Sequence, residues 1–346
     1  MGESNQTVKQ DMEKEKLRFI DELKLLLKNN IREYGMFIAL FVIMIIFSIL
    51  TDGTFMSPRN ISNLINSMGY IAVLTVGMTL VIVIRHIDLS VGFIAGFLGA
   101  VAAILLTTYK VPVFLTILII LLLGIIIGFF NGILVANFGI PSFVSSLAGM
   151  LIFRGALLRV TEKSGTIIIP NKIFNAIGNG FIPDIKLIEG YHSITLILGI
   201  IGIILFISNE IKSRKNKEKY NFEVLSKPLF IAKLILISSV IMYITWTLAK
   251  YNGLSWTIVI VIIVVAIYHY LTTKTVLGRH IYAVGGNPEA AKLSGIDVKK
   301  ITYFVFCSMS MLAALSGILY TARLQSATTT AGNLFEQDAI AAAYVG

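Results

Sequence analysis

Few residues in this chain have the type and spacing to do chemistry, and their arrangement excludes most of it. The four histidines, His86, His192, His269 and His280, show no metal-ligand spacing. The single cysteine, Cys307, lies in an apolar run and reads as a small buried hydrophobe. No nucleophile stands with a base, and no GxxxxGK loop followed by Ser or Thr is present to cradle phosphates. The chain is therefore expected to be no enzyme and to bind no metal or nucleotide itself. What remains is a handful of polar groups at the edges of apolar runs or inside them. They are Asp88, Ser90 and Gly92 in IDLSVG, Asn131 in GFFNGILVAN, and Arg154. Such groups hold helices together by hydrogen bonds or meet a neutral polar solute in a pathway.

The elements that must position them are membrane helices. Of 346 residues, 56% are hydrophobic and 14% charged, and the mean hydropathy is +0.84, far outside soluble globular usage. Crossing about 30 Å of hydrocarbon takes roughly 17–25 apolar residues. Runs of that kind fall at 34–50, 68–84, 91–107, 113–136, 142–160, 193–208, 229–249, 254–271 and 301–322. The expected fold is an all-α polytopic membrane protein with about nine transmembrane or re-entrant helices. Span 142–160 is the odd one, because Pro141, three serines, Gly149, Arg154 and Arg159 suit a re-entrant or buried helix better than lipid. The carboxylates lie outside every span, which counts against a proton- or sodium-coupled carrier. Small residues repeat at four-residue spacing at Gly92 and Gly96 and at Gly124, Gly128 and Gly132, as helices that approach closely require.

The net charge of +10 is explained by location, so no nucleic-acid partner is expected. With the N-terminus inside, 19 of the 29 Lys and Arg fall in the inner segments and 7 in the outer ones, which supports a cytosolic N-terminus. Residues 1–33 read as a cytosolic amphipathic segment without a cleavable signal, and 34–346 as the transmembrane domain. In SPRN, Ser57 caps an interfacial helix leading into the second span.

One water-compatible stretch, GRHIYAVGGNPEAAKLSGI at 278–296, interrupts this pattern inside an inner loop, 272–300. Gly285-Gly286 suits a turn, Asn287 an N-cap and Pro288 the first helical position, while Glu289 complements the helix dipole. The helix runs through Ala290, Ala291, Lys292, Leu293 and Ser294 until Gly295 stops it. So short a helix is marginal alone in water. Local signals leave it open whether the helix packs on its own bundle or against a cytosolic partner.

This stretch resembles the cytosolic coupling loop of permeases in the ribose, xylose and galactose branch of the ATP-binding-cassette sugar importers. TFMSPRNISNLI, IDLSVG and AGNLFEQDAIAAAYVG are similar to the same family, in the same order. The segments 209–228 and 229–249 resemble the larger xylose-type and multiple-monosaccharide permeases, and NNIREYGMFIAL, PSFVSSLAGMLIFRGALL and FIAKLILI are most similar to the latter. The resemblance implies a monosaccharide importer of a prokaryotic cytoplasmic membrane, working as a permease homodimer in the lipid bilayer. It implies two further partners, a separate ATPase that binds ATP and Mg, and an extracytoplasmic sugar-binding protein. ATPase coupling would then fall on Gly278, Arg279, Tyr282, Ala283, Gly285, Gly286, Asn287, Glu289, Ala290, Ala291, Leu293, Ser294, Gly295 and Ile296. Family members continue for several tens of residues, so a C-terminally truncated chain is expected. A secondary sugar carrier acting without an ATPase is the alternative.

For the pathway, the resemblance leaves two readings of each residue. Asp88 either caps the third span with Arg85 as its charge partner, or lies in a broken helix where Ser90 meets sugar hydroxyls. Arg154 either anchors a buried helix or lines the pathway, and Asn131 either lines it or bonds a neighbouring helix. Arg85-His86 before IDLSVG departs from the family pattern, in which a small residue is usual.

Overall fold

The computed structural model describes residues 31–162, 165–222 and 224–345. Of the segment 1–33 read as amphipathic, residues 1–30 lie outside the described residues and 31–33 begin the first helix. The helices are α1 (Ile31–Leu50), α2 (Pro58–Val83), α3 (Val91–Thr107), α4 (Val113–Ala136), α5 (Ser142–Thr161), α6 (Lys172–Asn179), α7 (Ser193–Lys219), α8 (Lys227–Ala249), α9 (Trp256–Lys274), α10 (Val276–Gly286), α11 (Pro288–Leu293), α12 (Val298–Leu324) and α13 (Phe335–Val345). Two three-residue strands, β1 (Thr166–Ile168) and β2 (Ser326–Thr328), pair antiparallel with Ile167 opposite Ala327.

The protein is an all-α integral membrane protein. Each of the nine expected spans falls on a helix, and seven of these helices are long and apolar enough to cross a membrane. The two shorter ones are Ile38–Leu50, within α1, and α3. At 1.5 Å per residue α3 is only about 25 Å long, and it can be short because it is enclosed: twelve of its residues are buried, among them Ile94, Leu98 and Ala102. The expected interfacial helix after Ser57 is not separate from the second span. No Gly or Pro occurs between Pro58 and Gly69, so the backbone continues as one 26-residue helix. Ser57 Oγ accepts from Asn60 N at 3.4 Å at its start.

The chain forms two compact units. In the first, which among the described residues comprises 31–62 and Pro183–Gly253, α7 and α8 make an antiparallel hairpin. Gly199 admits Thr245, Arg214 stacks 4.7 Å from the Phe230 ring, and Lys233 Nζ meets Glu210 Oε2 at 2.8 Å. Helix α7 continues past its apolar part, so Glu210 lies within a helix rather than in a loop.

The second unit, Asn63–Ile182 with Leu254–Gly346, is organised around α12. Of the seven span-length helices among the described residues it is the most enclosed, with 72% of its best window buried. It packs on α4 and α3, while α3 packs on α5. The glycine spacing read from the sequence explains the closeness. A Cβ on Gly124 would lie 2.7 Å from Ser310 O, one on Gly128 2.6 Å from Cys307 Cα, and one on Gly132 2.9 Å from the Tyr303 ring. Backbone therefore meets backbone along α4 and α12, the contact that apolar solvent favours. Cys307 itself is only half-buried, contrary to its reading as a buried hydrophobe. Its main chain, not its thiol, fills the space opposite Gly128.

Candidate functional site: a buried polar break and an exposed short helix

Helix α2 ends at a sharp corner. Arg85 N bonds Ile82 O at 2.9 Å and His86 N bonds Val81 O at 3.0 Å, the paired bonds of a Schellman motif, with Arg85 in the left-handed region at φ 63°. The chain then crosses to α3 through residues 84–90. Ser142 Oγ accepts from Ile87 N at 3.2 Å, and Ser146 Oγ donates to Ile87 O at 3.4 Å, so the serines that make α5 unlike a lipid-facing helix hold this corner.

Within the corner Asp88 is fully buried. Its Oδ1 accepts from Ser90 N at 2.9 Å and from Ser90 Oγ at 2.5 Å. Asn131 Nδ2 on α4 donates to Ser90 Oγ at 3.3 Å. Gly149 of α5 leaves room for the group, since a Cβ there would stand 3.2 Å from Ser90 Cβ. Asp88 and Ser90 of the loop and Asn131 of α4 are thus brought together, and Asp88 Oδ2 has no partner among the described residues. Such a chain of hydrogen bonds with one spare acceptor suits a neutral hydroxylated solute.

The other pathway candidates stand apart. Gly92 packs: a Cβ there would run into Gly332 O and lie 2.5 Å from Glu336 Oε2. Arg154 is exposed, with its guanidinium 5.8 Å from the Phe93 ring, so it does not anchor a buried helix; Leu151 and Ile152, on the same helix, are exposed as well. Nor does Arg85 pair with Asp88. Its left-handed backbone turns the side chain the other way, and it donates to the carbonyls of Gly285 (Nε, 2.6 Å) and Gly286 (Nη2).

One residue escaped sequence reading altogether. Glu336, in the first turn of α13, is 3% exposed, and its Oε2 also lacks a partner among the described residues. No residue type or spacing in FEQDAIAAAYV marks its carboxylate as buried. Asp88→Ala is expected to lower unfolding stability in detergent by about 1–3 kcal/mol, because Ser90 N–H and Oγ lose their acceptor in a buried place. Asp88→Asn, which keeps Oδ1, should cost less, and denaturant titration of the two variants measures the difference.

The stretch 278–296 folds into α10, α11 and a stop. Thr275 Oγ1 caps α10 by accepting from Gly278 N at 3.2 Å, and Gly278 has no side chain because the carbonyl of Leu271 lies 2.5 Å from where a Cβ would be. Gly285-Gly286 makes no turn. Both glycines complete α10, because tertiary contact outweighs their poor helix propensity: Gly285 lies against the carbonyl of Val83. Asn287 ends α10 and caps α11, its Oδ1 accepting from Glu289 N at 3.0 Å and Ala290 N at 3.1 Å. Gly295, at φ 83°, stops α11 as its composition implied. Asp297 then caps α12, and the N–H of Lys300 holds its carboxyl below the usual carboxylate range.

Only one face of α11 touches the protein. Ala291 is 4% exposed, whereas Leu293 is 91% exposed. Tyr282, Arg279, Glu289, Ala290 and Ser294 are exposed too, while Ala283 and Ile296 are half-buried.

Comparison with known proteins gives the following. A family model described as "Branched-chain amino acid transport system / permease component" matches residues 60–179 and 184–346. The chain is 37% identical over 318 residues to the xylose transport system permease protein of Haemophilus influenzae, covering 92% of this chain and 82% of that protein. It is 35% identical to the xylose transport system permease protein of Escherichia coli K12, covering 92% and 78%. With the ribose import permease protein of Haemophilus influenzae it shares 31% over 317 residues, covering 91% and 76%. No solved structure matches.

Proposed function

From the premise that the chain belongs to the branched-chain amino acid transport system / permease component family, among its monosaccharide permeases, we propose that it is the membrane-spanning subunit of a sugar importer driven by a separate ATPase. The subunit translocates a monosaccharide, xylose or several pentoses and hexoses, across the cytoplasmic membrane of a prokaryote. It works as a homodimer with its N-terminus in the cytosol, receives sugar from an extracytoplasmic binding protein, and leaves ATP and Mg to the ATPase.

The observation that carries this reading is the exposure of Leu293. A loop helix that existed only to pack on its own bundle would turn its one large apolar residue inward. Helix α11 instead buries Ala291 and holds Leu293 outward at 91% exposure, the arrangement of a helix whose apolar side enters a partner's groove. Closure of the ATPase would push α10 and α11 together, since they share Asn287 as end and cap. The bundle then alternates between outward- and inward-open states, and Asp88, Ser90 and Asn131 offer hydroxyl partners on the way.

Two carboxylates favour a second reading, a carrier acting alone. Asp88 and Glu336 are both buried with an oxygen unpartnered among the described residues, and coupled carriers use such groups as relays.

The importer reading is tested by co-purification with the ATPase and by paired replacement of Glu289 and Ala290. Glu289→Lys with Ala290→Trp is expected to lower ATP-driven uptake about tenfold while the chain still inserts and stays folded, because both residues are exposed. Unchanged uptake would exclude α11 as the point of coupling.

A further inference from the structure

We propose that Arg85 is a positioning residue, a latch through which movement of the coupling segment reaches the buried polar break; the inference rests on the importer reading above. Its backbone place is the starting point. At the left-handed position of a Schellman end glycine is the favoured residue, and an L side chain there costs about 1 kcal/mol. Arginine occupies it at φ 63°, so the side chain has a use that offsets the backbone cost.

That use is visible in the partners. The guanidinium donates to the last two carbonyls of α10, Gly285 O at 2.6 Å and Gly286 O, at the negative end of the helix dipole. The next residue, Asn287, caps α11. On the other side, Asp88 is three residues beyond Arg85, with Ile87 fixed by Ser142 and Ser146 between them. The two backbones touch at the same place, since a Cβ on Gly285 would collide with Val83 O, and Ile84, Ile281 and Val284 are buried in one core. The guanidinium therefore joins the end of the coupling segment to the start of the loop carrying Asp88 and Ser90.

Arg85 is also exposed. Its hydrogen bonds are worth little as static stability and can break and re-form within a transport cycle. A displacement of α10 and α11 that keeps the latch carries residues 85–90 with it and changes the spacing between Ser90 and Asn131. Without the latch, the coupling segment can move while the break stays behind.

The variant R85G isolates this role, because glycine suits the left-handed corner while removing the guanidinium. The measurement compares wild type, R85G and R85K, each assembled with the ATPase and the binding protein in proteoliposomes and scored as sugar imported per ATP hydrolysed. R85G is expected to assemble, to keep its thermal stability and to hydrolyse ATP within about twofold of wild type, but to import about fivefold less sugar per ATP. R85K, a single point charge without the fork, should recover part of the ratio. An unchanged ratio in R85G would overturn the latch, and so would loss of assembly, which would make Arg85 structural only. Failure of the wild-type complex to import with ATP would instead strike the importer reading itself.

Discussion

Leu293→Asp is expected to strip the ATPase from the purified permease, weakening their association about thirtyfold or more while leaving the permease as stable as before. The two halves of this expectation have separate physical causes. Leu293 is 91% exposed and contributes almost nothing to the chain's own core, so a polar replacement there should change stability by no more than about 0.5 kcal/mol. If the same side chain fills a groove on the ATPase, it is an anchor residue. Truncating such an anchor costs about 2 kcal/mol or more, and a buried carboxylate in its place costs further desolvation. Pull-down of the ATPase on tagged wild-type and Leu293→Asp permease, with thermal unfolding of each permease alone, reads both halves. Equal recovery of the ATPase would remove α11 from the interface.

Gly128→Ala is expected to destabilise the bundle by about 2–3 kcal/mol, although alanine is the better helix former by about 1 kcal/mol. A Cβ at Gly128 would stand 2.6 Å from Cys307 Cα and 2.8 Å from the Phe306 carbonyl carbon. Both neighbours are main chain on α12, which cannot swing aside as a long side chain would. Helix α4 would have to back away, and the contacts at Gly124 and Gly132 would open with it. Gly155→Ala is the matched control, because nothing lies within 4 Å of a Cβ there, and it should be neutral or slightly stabilising. Unfolding of the two variants in detergent against wild type checks the opposite signs.

These effects also mark which parts of the molecule were legible in the sequence. The spans were, because hydrocarbon demands a length and composition that local reading detects. The glycine rows were too, since a four-residue spacing of missing side chains has one main use in a membrane bundle. Asn287, Pro288 and Gly295 gave the limits of α11 through capping chemistry alone. Gly285 and Gly286 misled, because their place in α10 is imposed by Val83 and Arg85 from 200 residues away in sequence. Arg85 suggested a local partner for Asp88, but the left-handed corner separates them, and no pattern of residue types announces a left-handed arginine. Of five pathway candidates, Asp88, Ser90 and Asn131 meet. Gly92 serves packing, and Arg154 lies exposed because α5 turns that face away from the second unit's core. Glu336 was hidden because its place against Gly92 of α3 is a tertiary contact that no local pattern shows.

The central claim, that ATP energy enters through a partner bound at α11, is tested most directly by sugar uptake in proteoliposomes. The chain is reconstituted with and without the ATPase and the binding protein, and labelled xylose inside the vesicles is followed. The account predicts accumulation only when both partners and ATP are present, and none by the chain alone under a proton or sugar gradient. Flux through the chain alone, independent of ATP, would contradict it and return Asp88 and Glu336 to the centre as the groups of a carrier.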